Sequence, residues 1–107
     1  MVKLLTIAVS KEPEKISLAL GFSRRQKEKG HEVRFLFFGP SESAIAENSE
    51  LAKQIAESFP GAERPKACVF IAERGKIKEK LSSMVELLPA GEFITTSIEE
   101  GFVPITF

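Results

Sequence analysis

The chain reads as an α/β protein, with helices on both faces of a mostly parallel five-stranded sheet, that is, a three-layer α/β/α sandwich. Three observations predict this. Residues 4–9 are a near-continuous apolar run, the pattern of a parallel strand covered on both faces. Similar short runs alternate with stretches of helical spacing, such as Ile16, Ala19, Leu20 and Ser23, and later Leu51, Ile55 and Phe59. Glycine and proline punctuate the switches, at Gly30, Gly39-Pro40, Pro60-Gly61 and Pro89-Ala90-Gly91. Strands alternating with helices give βαβ units. At 107 residues the chain is one domain, residues 1–107, large enough for a core without covalent staples.

Each element has its own reason. Residues 4–9 form the first strand. Pro13 suits the first turn of a helix, where its missing N–H costs nothing, and Arg24, Arg25, Lys27, Glu28 and Lys29 supply that helix's water side until Gly30 stops it. Residues 33–38 are the second strand, broken by Gly39-Pro40-Ser41. A short helical turn is expected over 43–47. Asn48 or Ser49 then caps a clearer helix that ends at Pro60-Gly61. The third strand is placed around 64–68, with Val69, Phe70 and Ile71 able either to extend it or to begin a helix. Ile77, Leu81, Met84, Val85 and Leu88 fall at i, i+4, i+7, i+8 and i+11, which predicts a helix. The favoured register for the end makes 86–91 the fourth strand, 93–100 a short helix and 102–107 the last strand. Pro104 puts that last strand near a sheet edge.

Composition excludes several functions. The 15 basic and 15 acidic residues cancel, so no bulk charge points to nucleic acid or an acidic partner. No segment approaches the ~20 apolar residues of a membrane span, and the opening MVKLLTIAVS reads as a strand rather than a leader. The expectation is a soluble, cytoplasmic protein. A single cysteine excludes an internal disulfide and a cysteine-based metal site. No metal and no cofactor is expected. His31, the only histidine, follows Gly30 and is expected to face solvent at a helix end. There are nine Phe and no Tyr or Trp. Phe35, Phe37 and Phe38 belong to one strand, whereas Phe93, Phe102 and Phe107 are expected to cover an oligomer interface.

There is no GxGxxG after the first strand, no GxxxxGK[ST], no CxxC and no Ser/His/Asp arrangement. The end of the first strand reads Val9-Ser10-Lys11-Glu12, which fits the acidic cluster of a receiver domain poorly. What remains is Cys68, at a junction between strand and helix. There the helix N-terminus favours a thiolate, while the apolar Val69, Phe70 and Ile71 favour a buried packing residue. Ligands of open α/β sheets bind at the C-terminal strand ends. Ser10, Gly39, Pro40 and Ser41 are therefore candidate lining residues, with a turn and helix cap as the plainer reading of 39–41. Arg74 is a candidate partner for a thiolate or a solvated charge at a helix start.

Three stretches, RFLFFGPSES, ACVFIAERG and EEGFVPITF, taken with the βαβαβαβαβ order, resemble the DsrE/DsrF-like family, also called the YchN-like fold, of small sulfur-handling proteins. The resemblance covers essentially the whole chain. It implies an α/β/α sandwich assembling as a dimer, trimer or hexamer, and a cysteine at the end of the third strand that accepts sulfur as a persulfide. Cys68 stands at that position. The function it implies is a sulfur carrier or sulfurtransferase-like relay protein with donor and acceptor protein partners. The alternative is a non-catalytic oligomeric module of the same fold that binds a small ligand or a partner, with Cys68 as packing. The apolar residues after Cys68 depart from the polar surroundings a working thiol would have.

Overall fold

The computed structural model describes all 107 residues. Strands β1 (Lys3–Ala8), β2 (Glu32–Phe37), β3 (Lys66–Cys68), β4 (Glu86–Leu88) and β5 (Val103–Thr106) form one sheet in the order β4-β3-β2-β1-β5. Every pairing is parallel. The connecting helices are α1 (Pro13–Glu28), α2 (Pro40–Glu47), α3 (Ser49–Ser58), α4 (Val69–Arg74), α5 (Lys78–Ser82) and α6 (Ala90–Glu99). None is long and apolar enough to cross a membrane.

The connectivity explains the layers. From β1 to β4 the chain steps one strand at a time in a single direction, and α6 then returns it across the whole sheet to β5. Parallel crossovers share one hand, so reversing direction moves the connecting helix to the opposite face. The two core clusters follow this division. One joins Ala8, Phe35, Phe37 and Ala67 of the sheet to residues of α1, α2, α3, α4 and α5. The other joins Leu5, Ile7, Leu36 and Cys68 to Ala90 of α6 and to Phe102. Strand alternation sends neighbouring residues to opposite faces, so Ala67 belongs to the first cluster and Cys68 to the second. Phe37, Leu5 and Leu36 are fully enclosed, and each such side chain contributes roughly 1.5–3 kcal/mol. The one polar pair inside the α1 face, Ser23 and Thr6, satisfies itself with a 2.8 Å hydroxyl–hydroxyl bond.

Pro13 opens α1, and Asn48 caps α3 by accepting the Leu51 N–H at 3.1 Å. Val69–Arg74 is helix rather than extended strand. Pro104 lies in β5 at the sheet edge, where its missing donor costs no ladder bond.

Three expectations are corrected. The helical spacing from Ile77 to Leu88 is met by a one-turn helix, a turn and a strand. α5 ends at Ser82, Val85 N–H bonds back to Leu81, and Glu86 N–H bonds to the Pro65 carbonyl at 2.9 Å, which draws the chain into the sheet. Leu81 and Val85 are buried either way, so their spacing did not separate the two outcomes. Arg74 ends α4 rather than starting a helix. Of the three C-terminal Phe, Phe102 is core, with the Arg34 guanidinium 4.0 Å from its ring centroid, and Phe107 meets Phe22 at 5.6 Å. Phe93 packs against the α6 cluster. Phe102 is therefore closed to an interface between copies, whereas Phe93 lines a surface groove.

Candidate functional site at the ends of β3 and β4

The connections leaving the C-terminal ends of β1, β2 and β3 go to the crowded face, while the one leaving β4 goes to α6 on the other. The neighbours β3 and β4 are therefore the point where the chain parts to opposite faces. In open α/β sheets a ligand crevice forms at such a point. Cys68 is the last residue of β3, in register with Leu88 of β4. Pro89 then turns the chain into α6, and a shallow groove of about 220 Å³ begins there, lined by Leu88, Pro89, Glu92, Phe93 and Thr96.

Cys68 itself is closed off. It is 4% exposed and belongs to the apolar cluster under α6. It occupies the N-cap position of α4, but its side chain makes no capping hydrogen bond, and α4 has only six residues. The helix-end field expected to favour a thiolate is correspondingly short. No main surface groove is lined by the thiol.

A second ionisable group, which the sequence reading passed over, sits at the same strand ends. Glu42 is fully buried. β2 ends one residue before Phe38, and Gly39 then adopts φ +83, a conformation that favours glycine. This turn sets Pro40 at the first position of α2 and Glu42 at the third. From there the carboxylate reaches back to the Gly39 N–H, which donates to Oε2 at 3.2 Å. That is one half of a capping box; glycine has no side chain to supply the other. Glu42 Oε1 is buried with no hydrogen-bond partner. Burial pushes the carboxyl up to about 7, while the backbone N–H groups of Gly39 and Cys68 pull the other way. The Cys68 N–H thus stands against the carboxyl without completing a bond to Oε1. The signal available in the sequence was an acidic residue three positions after a strand-ending glycine, with proline between them.

The other candidates divide. Ser41 is buried, donating its hydroxyl to the Ala8 carbonyl while its N–H bonds to Val9 at 3.0 Å, so it ties α2 to the end of β1. Gly39 and Ser41 are brought to the same turn as Glu42, and Pro40 is exposed beside them. Ser10 lies at the end of β1, two strands from β3. Its hydroxyl accepts the Glu12 N–H at 3.1 Å and faces the Glu12 carboxylate. Arg74 is exposed at the end of α4 remote from Cys68. His31 precedes β2, at the opposite end of the sheet, where Nδ1 accepts the Val2 N–H at 3.0 Å.

No family model and no curated protein matches the chain. Among solved structures, a conserved protein of unknown function from Bacteroides thetaiotaomicron, BT1422, superposes with a TM-score of 0.82 at 15% identity, covering 98% of this chain and 95% of that one. At that identity the likeness shows the α/β fold alone.

Proposed function

We propose that this chain is a small cytoplasmic sulfur carrier, or sulfurtransferase-like relay protein, that holds sulfane sulfur as a persulfide on Cys68. The observation supporting it is the position of the only cysteine at the end of β3, where β3 and β4 part to opposite faces, with a fully buried, half-satisfied carboxyl against its backbone. An unpaired buried carboxyl oxygen at these strand ends is costly and calls for a role beyond packing. In the reaction, the Cys68 thiolate attacks the outer sulfur of a donor persulfide, the donor S–S bond breaks and the donor leaves as a thiolate. An acceptor thiolate later takes the sulfur by the same exchange in reverse. No electrons are gained or lost overall, and one cysteine suffices.

The thiol must be uncovered for this. Phe70, two residues after Cys68, is 56% exposed, and it is the surface on which we seat a donor or acceptor protein. Self-association as a dimer, trimer or hexamer belongs to the same proposal. Leu18, Val103 and Ile105 are its exposed apolar surface, and light scattering on the eluting protein tests it.

The 4% exposure of Cys68 favours a second reading, an oligomeric binding module without catalysis in which the thiol is core. Native reaction with a small thiol reagent at neutral pH separates the two. Modification without denaturant supports the carrier, and protection until unfolding supports the binding module.

A further inference from the structure

A groove that the sulfur-carrier reading does not use lies at the N-terminal ends of β3 and β4, the opposite end of these strands from Cys68. One flank of α3 forms a wall of it. Leu51 and Ile55 bury the inner side of that helix. Ala52 and Ala56, one turn apart and therefore on one face, line the groove with side chains too short to fill it. Phe59 and Met84, both half-buried, supply the rest of the apolar lining. The groove encloses about 320 Å³, the small end of the range for ligand sites.

Arg64 is the one charged side chain lining it. Pro60-Gly61 ends α3, Gly61 takes φ +86, and the chain returns to Pro65, which is buried ahead of β3. That path sets Arg64 beside the groove. Its guanidinium is held there by donating from Nη1 to the carbonyl of Ser82, the last residue of α5, at 2.9 Å. The bond occupies one of several N–H donors. No carboxylate lies within ion-pair distance of Arg64, and its neighbour Glu63 lines the adjoining groove over β2 instead. A positioned, unpaired guanidinium thus stands beside an unfilled apolar channel.

We propose that this groove binds a small apolar monocarboxylate, with the carboxylate on Arg64 and the hydrocarbon body along Ala52, Ala56, Phe59 and Met84. Charge complementarity selects the class. A planar guanidinium meets a carboxylate through paired N–H···O bonds. A cationic ligand would be repelled, and a multiply charged anion would need a second cation that the lining lacks. The site stands whether or not Cys68 carries sulfur.

The test is a titration of the nitrogen-15-labelled native protein with hexanoate, followed by its amide spectrum. Hexanamide serves as the uncharged analogue and acetate as the head group alone. Hexanoate is expected to give saturable shifts centred on Ala52, Ala56, Gly61 and Ser83. Both controls are expected to bind about 10-fold or more weakly. Arg64→Gln should weaken hexanoate about 10-fold, and Ala56→Leu, which fills the groove with a good helix former, should abolish the shifts. Ala56 and Arg64 are both exposed, so neither change disturbs the core. Shifts that do not saturate or that centre elsewhere, hexanamide binding as tightly as hexanoate, or either variant binding like wild type would each overturn the assignment.

Discussion

The carboxyl of Glu42 accepts the Gly39 N–H at 3.2 Å and stands against the backbone of Cys68, joining the turn after β2 to the turn after β3. Half of its hydrogen-bonding capacity is unused, although the residue itself is fully buried. Such a group is expensive unless it is neutral or functional.

Stability should therefore fall as pH rises. The folded carboxyl titrates at about 7, above its ordinary 4.5, so between these values the folded state binds more protons than the unfolded one. Stabilisation from the neutral form is complete below 4.5 and is lost as pH rises through 7, amounting to about 3 kcal/mol. Thermal unfolding at pH 5 and pH 8 should differ by on the order of 10 °C, and Glu42→Gln should remove most of that difference. Equal midpoints in wild type would contradict the buried carboxyl.

Cys68→Ala and Cys68→Ser separate packing from polarity. Cys68 lies in the cluster of Leu5, Ile7, Leu36, Ala90 and Phe102. Alanine should cost about 1 kcal/mol for the lost sulfur volume. Serine should cost about 1–3 kcal/mol, because its hydroxyl is buried among apolar side chains. Urea unfolding checks the order, and serine proving the milder change would show the thiol site to be wetter than its burial implies.

Ser41→Ala should lower stability by about 1 kcal/mol and leave thiol reactivity unchanged. The Ala8 carbonyl that accepts the Ser41 hydroxyl also accepts the Phe38 N–H at 3.0 Å, so it keeps a partner. A reactivity loss of tenfold would move Ser41 from the scaffold into the site.

Arg34 holds α6 to the sheet. Its guanidinium donates to Ser97 at 3.0 Å and Glu100 at 2.8 Å and lies 4.0 Å from the Phe102 ring centroid. That contact holds the carboxyl of Glu100 below the usual carboxylate range. Arg34→Lys should cost about 1–2 kcal/mol, because an ammonium cannot lay a planar face on the Phe102 ring while donating to Ser97 and Glu100. Glu100→Gln should cost less than Arg34→Lys, because the Glu100 carboxyl is itself half in water. Denaturant midpoints of the two variants give the comparison.

Much of the fold was legible because its signals are local. The apolar run of β1, Pro13, Asn48 and the edge position of Pro104 each act through neighbouring backbone. The stretch from Ile77 to Leu88 was not legible, because Leu81 and Val85 need burial in helix and turn alike, and the Glu86 bond to Pro65 that settles it joins distant residues. Cys68 could be placed at a strand end from its neighbours. Its burial under α6 could not, since that depends on the last crossover changing face. Glu42 carries no apolar or charge pattern that marks burial; the Gly39 turn sends its carboxyl inward.

The most direct measurement is intact-mass analysis of the native protein after exposure to a small persulfide donor, with Cys68→Ala as control. The account predicts the mass of one added sulfur on wild type, removed by reductant and absent from Cys68→Ala. An unmodified wild-type mass, with Cys68 unreactive until the protein unfolds, would contradict it and leave Cys68 as part of the core.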